Sequence, residues 1–100
     1  MQAVAADLTD PAGVDQVVQA AEQAFGKIDI LVNAAGISGS ATIESLTEEI
    51  WHKTLDAHLK SMYLCTQSVM DSMKAQKWGR IVNIISRASF KGRKGTTAYA

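Results

Sequence analysis

The chain has 100 residues, of which 47% are apolar and 20% are charged, a composition typical of one small globular domain and not of a disordered segment. Lys and Arg together number ten, as do Asp and Glu, so the net charge gives no reason to expect a nucleic-acid partner or an anionic membrane surface. The single cysteine, Cys65, excludes a disulfide framework and a cysteine-rich metal site.

Targeting and membrane-spanning segments are not predicted. No window reaches the roughly 18 apolar residues of a transmembrane helix. The residues after Met1 lack the basic region and apolar stretch of a secretory signal. We therefore expect a cytoplasmic protein with neither a membrane nor a nucleic-acid partner.

The first quarter of the chain predicts a strand followed by a helix. Residues Ala3 to Asp7 form a short apolar run that predicts the strand. Asp10 before Pro11 is typical of a helix N-cap. Apolar residues then recur at helical spacing as far as Gly26, which predicts the end of the helix.

The next strand is predicted at Ile28 to Val32, and it leads into the turn Asn33 to Gly36. The apolar character of this strand is interrupted only by Asp29. Because such near-continuous apolarity is typical of strands in parallel sheets, we expect both of its faces to be covered.

A long helix is predicted from about Thr47 to Gln76, after a loop of small and polar residues. Either Ser45 or Thr47 can cap its first turn, and Ser45 with Glu48 matches a capping box. Its apolar residues recur at helical spacing and are predicted to pack against the core: Trp51, Leu55, Leu59, Met62, Val69 and Met73.

The last predicted strand, Arg80 to Ser86, is rich in Ile and Val. The residues after it, including the basic run Lys91 to Gly95, are predicted to form an exposed, solvated loop. Strand and helix patterns thus alternate along the chain, which predicts the α/β class with βαβ units and a parallel sheet.

Four short motifs, in their order along these elements, resemble the short-chain dehydrogenase/reductase family and especially its 3-oxoacyl-carrier-protein reductase-like members. They are Asp7 after the first strand, Asp29 to Gly36, Gly79 to Ile84, and Ser86 followed thirteen positions later by Tyr99. Each motif alone is weak, but the four are specific in combination and cover nearly the whole chain. The resemblance implies a partial Rossmann-like doubly wound parallel sheet, with residues 1–100 as the central part of a single NAD(P)-binding domain.

The family's reaction is a hydride transfer between NAD or NADP and the carbonyl or secondary alcohol of a small-molecule substrate. By resemblance, Ser86 hydrogen-bonds the substrate carbonyl, and Tyr99 is the general acid/base that exchanges a proton with its oxygen. Because tyrosine has an unperturbed pKa of about 10, such a site needs a neighbouring cation to bring the phenol into its working range. His58 stands where the family usually has an Asn, and it is a candidate either for supporting a proton relay or for a purely structural role in its helix.

For the cofactor, the resemblance assigns Asp7 to the adenine ring. It assigns Asn33, Ala35 and Gly36 to a turn beside the ribose, in which Ala34 departs from the second Asn of the family's Asn-Asn-Ala-Gly pattern. There is also a physical reason for a glycine at residue 36, because a missing Cβ lets the backbone and the cofactor approach closely.

The rest of the substrate pocket is less well defined by sequence. Ser38 to Ser40 and Arg87 to Lys94 are the candidate pocket rims in this chain. Full-length members of the family are commonly homo-oligomers that use the long helix, so Thr47 to Gln76 is a candidate interface by resemblance alone.

Two features of the family do not occur in these hundred residues: a Gly-rich turn that binds pyrophosphate at a helix N-terminus, and a Lys four positions after the catalytic Tyr. Two interpretations therefore stay open, a segment of a hydride-transferring oxidoreductase or a catalytically incompetent fragment that acts as an interaction module. In the family's strand order the neighbour of the first strand lies outside these residues. We therefore expect the hundred residues alone to be marginally stable and prone to association.

Overall fold

Helices and strands alternate along the computed structural model, which describes residues 1–100. β1 and β2 pair in parallel, with Ile30 opposite Arg80 and Asn33 opposite Asn83, so the prediction of a parallel α/β arrangement is confirmed. In chain order the elements are α1 (Pro11–Phe25), β1 (Ile30–Asn33), α2 (Glu48–Leu55), a π-helical turn (Asp56–Lys60), α3 (Ser61–Ala75), β2 (Arg80–Asn83) and α4 (Ala88–Lys91).

Both ends of α1 lie where the sequence predicts them. The Asp10 side chain accepts a hydrogen bond of 3.1 Å from the Ala12 main-chain N–H, which satisfies a donor that the first turn leaves free. At the other end, Gly26 takes φ = 85° and its N–H donates to the Glu22 carbonyl. A residue with a Cβ would be strained in this backbone conformation.

The predicted long helix is present, but it is divided. Thr47 caps α2 by accepting a hydrogen bond of 3.2 Å from the Ile50 N–H. Ser45 instead bonds to Thr42, so the capping-box prediction is wrong. Between α2 and α3, residues Asp56–Lys60 form a π-helical turn, which the 3.6-residue periodicity does not predict.

The strand predicted at Ala3 to Asp7 does not form in the structure. A strand needs a partner for its main-chain N–H and C=O groups, and β1 and β2 pair only with each other. The run instead leads into a turn in which the Asp10 N–H donates to the Asp7 carbonyl at 3.3 Å.

The last predicted strand is shorter at its carboxyl end than expected. β2 ends at Asn83 and not at Ser86, although the Ile84 N–H still donates to the Asn33 carbonyl at 2.9 Å. The segment after Ser86, predicted as a loop, contains the short helix α4, which ends at the first residue of the basic run, Lys91. This single turn has four residues, and Arg87 separates it from Ser86.

The buried core lies where α1 and β1 pack against α3. Val14 of α1 and Val69 of α3 are each 2% exposed, and Cys65 and Met73 complete the buried apolar set. Burial raises the pKa of the Cys65 thiol, as expected for a thiol that packs as a small hydrophobic group.

One face of the two-stranded sheet is open. Ile30, Val32, Val82 and Ile84 are 44–57% exposed, so the prediction that β1 is covered on both faces is wrong for these residues. The reason is that α3 packs on β1 and no helix of the chain covers the opposite face. None of the helices combines the length and the hydropathy needed to cross a membrane.

Candidate functional site

A cavity of about 690 Å³ lies at the carboxyl ends of β1 and β2. The turn from Ala34 to Ser40 lines one side of this cavity, Ile84 to Ser86 line another, and Thr96 to Ala100 line a third. In α/β proteins, ligands bind in the crevice outside the carboxyl ends of the parallel strands. The cavity therefore has the position expected of a ligand site.

Ser86 and Tyr99 both line this cavity, and both are half-buried. The Ser86 Oγ accepts a hydrogen bond of 3.2 Å from the Ala88 N–H at the start of α4. This bond orients the hydroxyl through its oxygen and leaves the hydroxyl hydrogen free to donate to a ligand. The α4 turn thus positions the Ser86 side chain.

His58 lies in the π-helical turn and also lines the cavity. Its ring meets the Tyr99 ring edge to face, with centroids 5.2 Å apart and an interplanar angle of 81°. Such pairs contribute about 0.5–1.5 kcal/mol beyond the area they bury. Single π-helical turns are rare and occur frequently at functional sites.

The imidazole of His58 is also bound to the main chain of the turn after β1. Its Nε2 lies 2.8 Å from the Ile37 carbonyl oxygen and 3.2 Å from the Ile37 N–H nitrogen. One ring nitrogen cannot donate and accept at once, so we assign the shorter contact as an Nε2–H bond to the carbonyl. Nδ1 is then the ring nitrogen left for any other partner.

Gly36 fits under this imidazole. A Cβ at residue 36 would overlap the His58 ring unless the imidazole or the turn moved, so the glycine leaves room for this contact. This reason differs from close approach of a cofactor, which was the sequence-based interpretation. The turn carrying Ala35 and Gly36 is exposed and lines the cavity.

Asn33 does not line the cavity. It is 8% exposed, and its Nδ2 donates to the Asn83 Oδ1 at 2.9 Å and to the Thr66 Oγ1 at 3.4 Å. The side chain therefore holds the end of β1 to β2 and α3.

Asp7 also lies outside the cavity. Its carboxylate accepts hydrogen bonds from the Thr9 hydroxyl at 2.7 Å and the Thr9 N–H at 2.9 Å. These bonds, the hydroxyl first, hold the pKa of Asp7 below its usual value. Within this chain the Asp7 side chain stabilises a turn before α1.

The apolar wall of the cavity comes from residues that the sequence assigned to the core. Val69 and Met73 are buried as expected, but Trp51 and Leu59 are exposed by 41% and 58%. Helical spacing identifies an apolar face but does not distinguish a core from a cavity wall. The wall residues on the helical segments are Trp51, Leu55, Leu59 and Met62.

Sequence reasoning also missed Ile84 and Ile85, which line the cavity directly before Ser86. Their position after a predicted strand was the available signal, because the ends of parallel strands border the ligand crevice. No group of three His, Cys, Asp or Glu side chains is arranged to hold a metal ion.

Comparisons with known proteins find relatives along nearly the whole chain. A subunit, BbsD, of a hydroxy(phenyl)methylsuccinyl-CoA dehydrogenase from Thauera aromatica is 45% identical over 95% of this chain and 38% of its own. A 3-oxoacyl-(acyl-carrier-protein) reductase from Synechocystis is 37% identical over 98% of this chain and 40% of its own. A galactitol 2-dehydrogenase from Agrobacterium fabrum is 39% identical over 98% of this chain and 39% of its own.

The chain spans about two fifths of the length of these curated relatives. All three are named as dehydrogenases or reductases, so the chain is similar to oxidoreductases. The family model described as short chain dehydrogenase matches residues 1–100. This match, together with the parallel strands and the motifs at their carboxyl ends, shows that the chain belongs to the short-chain dehydrogenase family and resembles its 3-oxoacyl-carrier-protein reductases.

Proposed function

We propose that these residues are the central part of a dinucleotide-binding domain whose cavity reduces a carbonyl, or oxidises a secondary alcohol, with NAD or NADP. The observation that supports this proposal is that Ser86, Tyr99 and His58 line one cavity although His58 is remote in sequence. The small-residue turn Ala34 to Gly36 lines the same cavity.

The residues of this turn fit one end of a dinucleotide. Their side chains are a hydrogen atom or a methyl group, and the turn is exposed along Ala34, Ala35 and Gly36, so the ribose of a cofactor can approach the main chain closely. When bound, the nicotinamide would supply or accept the hydride. The side chain of Asn33 would contribute by holding the strand end, since it is bonded to Asn83. For Asp7 to bind the adenine ring, its carboxylate would have to accept a further hydrogen bond in addition to the two from Thr9.

Ser86 and Tyr99 would handle the substrate oxygen. The Ser86 hydroxyl, held through its oxygen by the Ala88 N–H, would donate to the carbonyl and stabilise the negative charge that develops there. The Tyr99 hydroxyl would give its proton to the same oxygen during reduction and take it back during oxidation. The apolar wall around Trp51 and Leu55 would exclude water from the reacting carbonyl.

We further propose that His58 acts as a positioning residue in this site. Its Nε2–H bond to the Ile37 carbonyl and its edge contact with the Tyr99 ring join the cofactor turn to the phenol. A relay role would have to use Nδ1, because Nε2 is engaged by the main chain.

Steady-state kinetics on the full-length protein test the proposal, with acetoacetyl-CoA as probe substrate and NADH or NADPH in excess. We expect Tyr99→Phe to lower kcat by about 10²- to 10⁴-fold, the range of general acid–base catalysis. Ser86→Ala should lower kcat by about 10²- to 10³-fold, as for loss of one oxyanion donor. Tyr63→Phe is the matched control, because Tyr63 is an exposed tyrosine of α3 outside the cavity.

The result that would contradict the proposal is a Tyr99→Phe variant that keeps the wild-type kcat. Thermal unfolding of each variant checks that a lost activity is not a lost fold. The relatives' names include two carrier thioesters and one sugar alcohol.

A further inference from the structure

Positive charge is concentrated next to the cavity. Of the ten Lys and Arg residues in the chain, four fall within Arg87 to Lys94, and all four are exposed. The chain has one ion pair, between Lys27 and Asp29, so no carboxylate pairs with any of these four cations. In a chain of zero net charge, this segment forms a local positive field.

Two of these cations border a second depression. A groove of about 370 Å³ is lined by Thr42 to Glu44 on one side and by Gly92 to Thr97 on the other, so it includes Arg93 and Lys94. Thr96, Thr97 and Ala100 line both this groove and the cavity that contains Ser86 and Tyr99. The groove therefore continues outward from the cavity.

The backbone of the basic loop is held in place by hydrogen bonds. The Arg93 carbonyl accepts from the Thr96 N–H at 3.1 Å and from the Thr96 hydroxyl at 2.6 Å. On the opposite rim, the Ala41 N–H donates to the Gly95 carbonyl at 2.9 Å, and the Thr97 N–H donates to the Ala41 carbonyl at 3.3 Å. The loop thus keeps Arg93 and Lys94 beside the groove.

We propose that Arg93 and Lys94 bind the phosphate of a pantetheine-based thiol carrier whose acyl group enters the cavity between Ser86 and Tyr99. The inference rests on the proposed function, and it selects carrier thioesters over neutral sugar alcohols as substrates. A guanidinium binds phosphate with paired N–H bonds and an ammonium acts as a point charge. The flexible arm between phosphate and thioester would lie along the shared residues Thr96 and Thr97.

Glu44 gives the groove an opposing charge that helps to test the proposal. It lies on the rim opposite Arg93 and Lys94, and bonds from its own N–H and from the Thr42 side chain lower the pKa of its carboxyl. The carboxylate is therefore ionised at neutral pH and repels an incoming phosphate. Removing this charge should strengthen binding, whereas removing Arg93 and Lys94 should weaken it.

Three thioester probes with the same acyl group separate the contribution of the phosphate groups to binding by the full-length protein. They are acetoacetyl-pantetheine, acetoacetyl-4′-phosphopantetheine and acetoacetyl-CoA. We expect the phosphorylated probes to have a KM about fivefold lower than the phosphate-free probe, as for partly exposed charge pairs. The double variant R93Q/K94Q should remove this preference by raising the KM of the phosphorylated probes, and E44Q should increase the preference. High salt should also suppress it in the wild-type protein. The matched control is K53Q/K74Q, which removes two exposed lysines of α2 and α3.

The pattern across the probes also identifies the phosphate. A preference shared by both phosphorylated probes assigns the site to the phosphate next to pantetheine, and a preference for acetoacetyl-CoA alone assigns it to the nucleotide phosphates. The inference is overturned if R93Q/K94Q keeps the preference, or if it raises the KM of the phosphate-free probe equally. Calorimetric titration with CoA compares the affinities of the wild-type protein and R93Q/K94Q without turnover. An inactive protein that still binds CoA through Arg93 and Lys94 would therefore contradict the proposed function alone.

Discussion

His58 and Gly36 are packed so closely that the size of the side chain at either position limits the size of the side chain at the other. A Cβ at residue 36 would overlap the imidazole, so Gly36→Ala must displace His58 from Ile37 or shift the turn. We expect this overpacking to lower the free energy of unfolding by about 1–3 kcal/mol, measured by urea unfolding of the full-length protein. The Gly36→Ala variant should also lose activity, because the edge contact of His58 with Tyr99 would be displaced.

His58→Ala supplies the control for this prediction. In the His58→Ala background the methyl group of residue 36 has open space, so Gly36→Ala should cost clearly less than in the wild-type protein. Residues in direct contact commonly show coupling energies of about 0.5–3 kcal/mol. An equal cost in both backgrounds would mean that the imidazole does not set the requirement for glycine.

Asp7 carries a pH-dependent part of the stability. Its pKa in the folded chain is lowered, first by the Thr9 hydroxyl and then by the Thr9 N–H, from an unfolded value of about 3.9. This contribution is present above the unfolded pKa and is lost as the pH falls through the folded pKa. The stability advantage of the wild-type protein over Asp7→Asn should therefore shrink below about pH 4, as urea midpoints measured against pH would show. A constant difference across that range would contradict the assignment, and Thr9→Val should reduce the same advantage.

At the scale of the elements, Asn33 joins β1 to its neighbours. Its Nδ2 donates to the Asn83 Oδ1 at 2.9 Å from a nearly buried position. We expect Asn33→Ala to lower the free energy of unfolding by about 1–2 kcal/mol, as for loss of a buried hydrogen bond. Asn83→Ala should cost less, because its partner can still bond to Thr66. A double-mutant cycle with no coupling between residues 33 and 83 would show that the bond does not form in solution.

The sequence identified elements best where a local interaction defines them. Asp10, Gly26 and Thr47 act within one turn of their own helices. Asp10 and Gly26 were predicted in these roles, and Thr47 was one of the two caps predicted for its helix. The π-helical turn was not predicted, because helical spacing of apolar residues does not reveal a local change from α-helical to π-helical hydrogen bonding. The strand at Ala3 to Asp7 was predicted from apolarity alone, and it fails because strand formation requires a neighbour.

The residues predicted for the candidate site fall into two groups, those that line the cavity and those that do not. Ser86, Tyr99, His58, Ala35 and Gly36 were predicted as site residues, and they line one cavity. Asp7 and Asn33 were predicted on the same resemblance, but their side chains lie outside the cavity and bond to neighbouring residues. Which residues form the apolar wall depends on how α2 and α3 sit over the strand ends, and periodicity carries no information about that.

At the scale of the whole molecule, the open sheet face is an exposed apolar surface. Val32 and Val82 lie opposite each other on it and are 54% and 44% exposed. Exposed, contiguous apolar patches favour association. We therefore expect a polypeptide limited to residues 1–100 to associate as its concentration rises in sedimentation velocity.

Charge at the centre of this face should oppose that association. Val82→Lys should shift the sedimenting species toward the monomer, whereas Gln67→Lys, at an exposed position of α3, should leave association unchanged. A monomer at all concentrations, or equal effects of the two lysines, would show that the sheet face is not the associating surface.

The most direct test of the proposed reaction follows the hydride itself. The full-length protein is mixed with acetoacetyl-CoA and a reduced nicotinamide cofactor deuterated at its transferable position, and the product is examined by mass spectrometry. The account predicts one deuterium on the carbon of the former ketone, formed by the wild-type protein and by Tyr63→Phe but lost or greatly slowed in Tyr99→Phe. A product without deuterium, or deuterium transfer by Tyr99→Phe at the wild-type rate, would contradict the assignment of Ser86 and Tyr99 to carbonyl reduction.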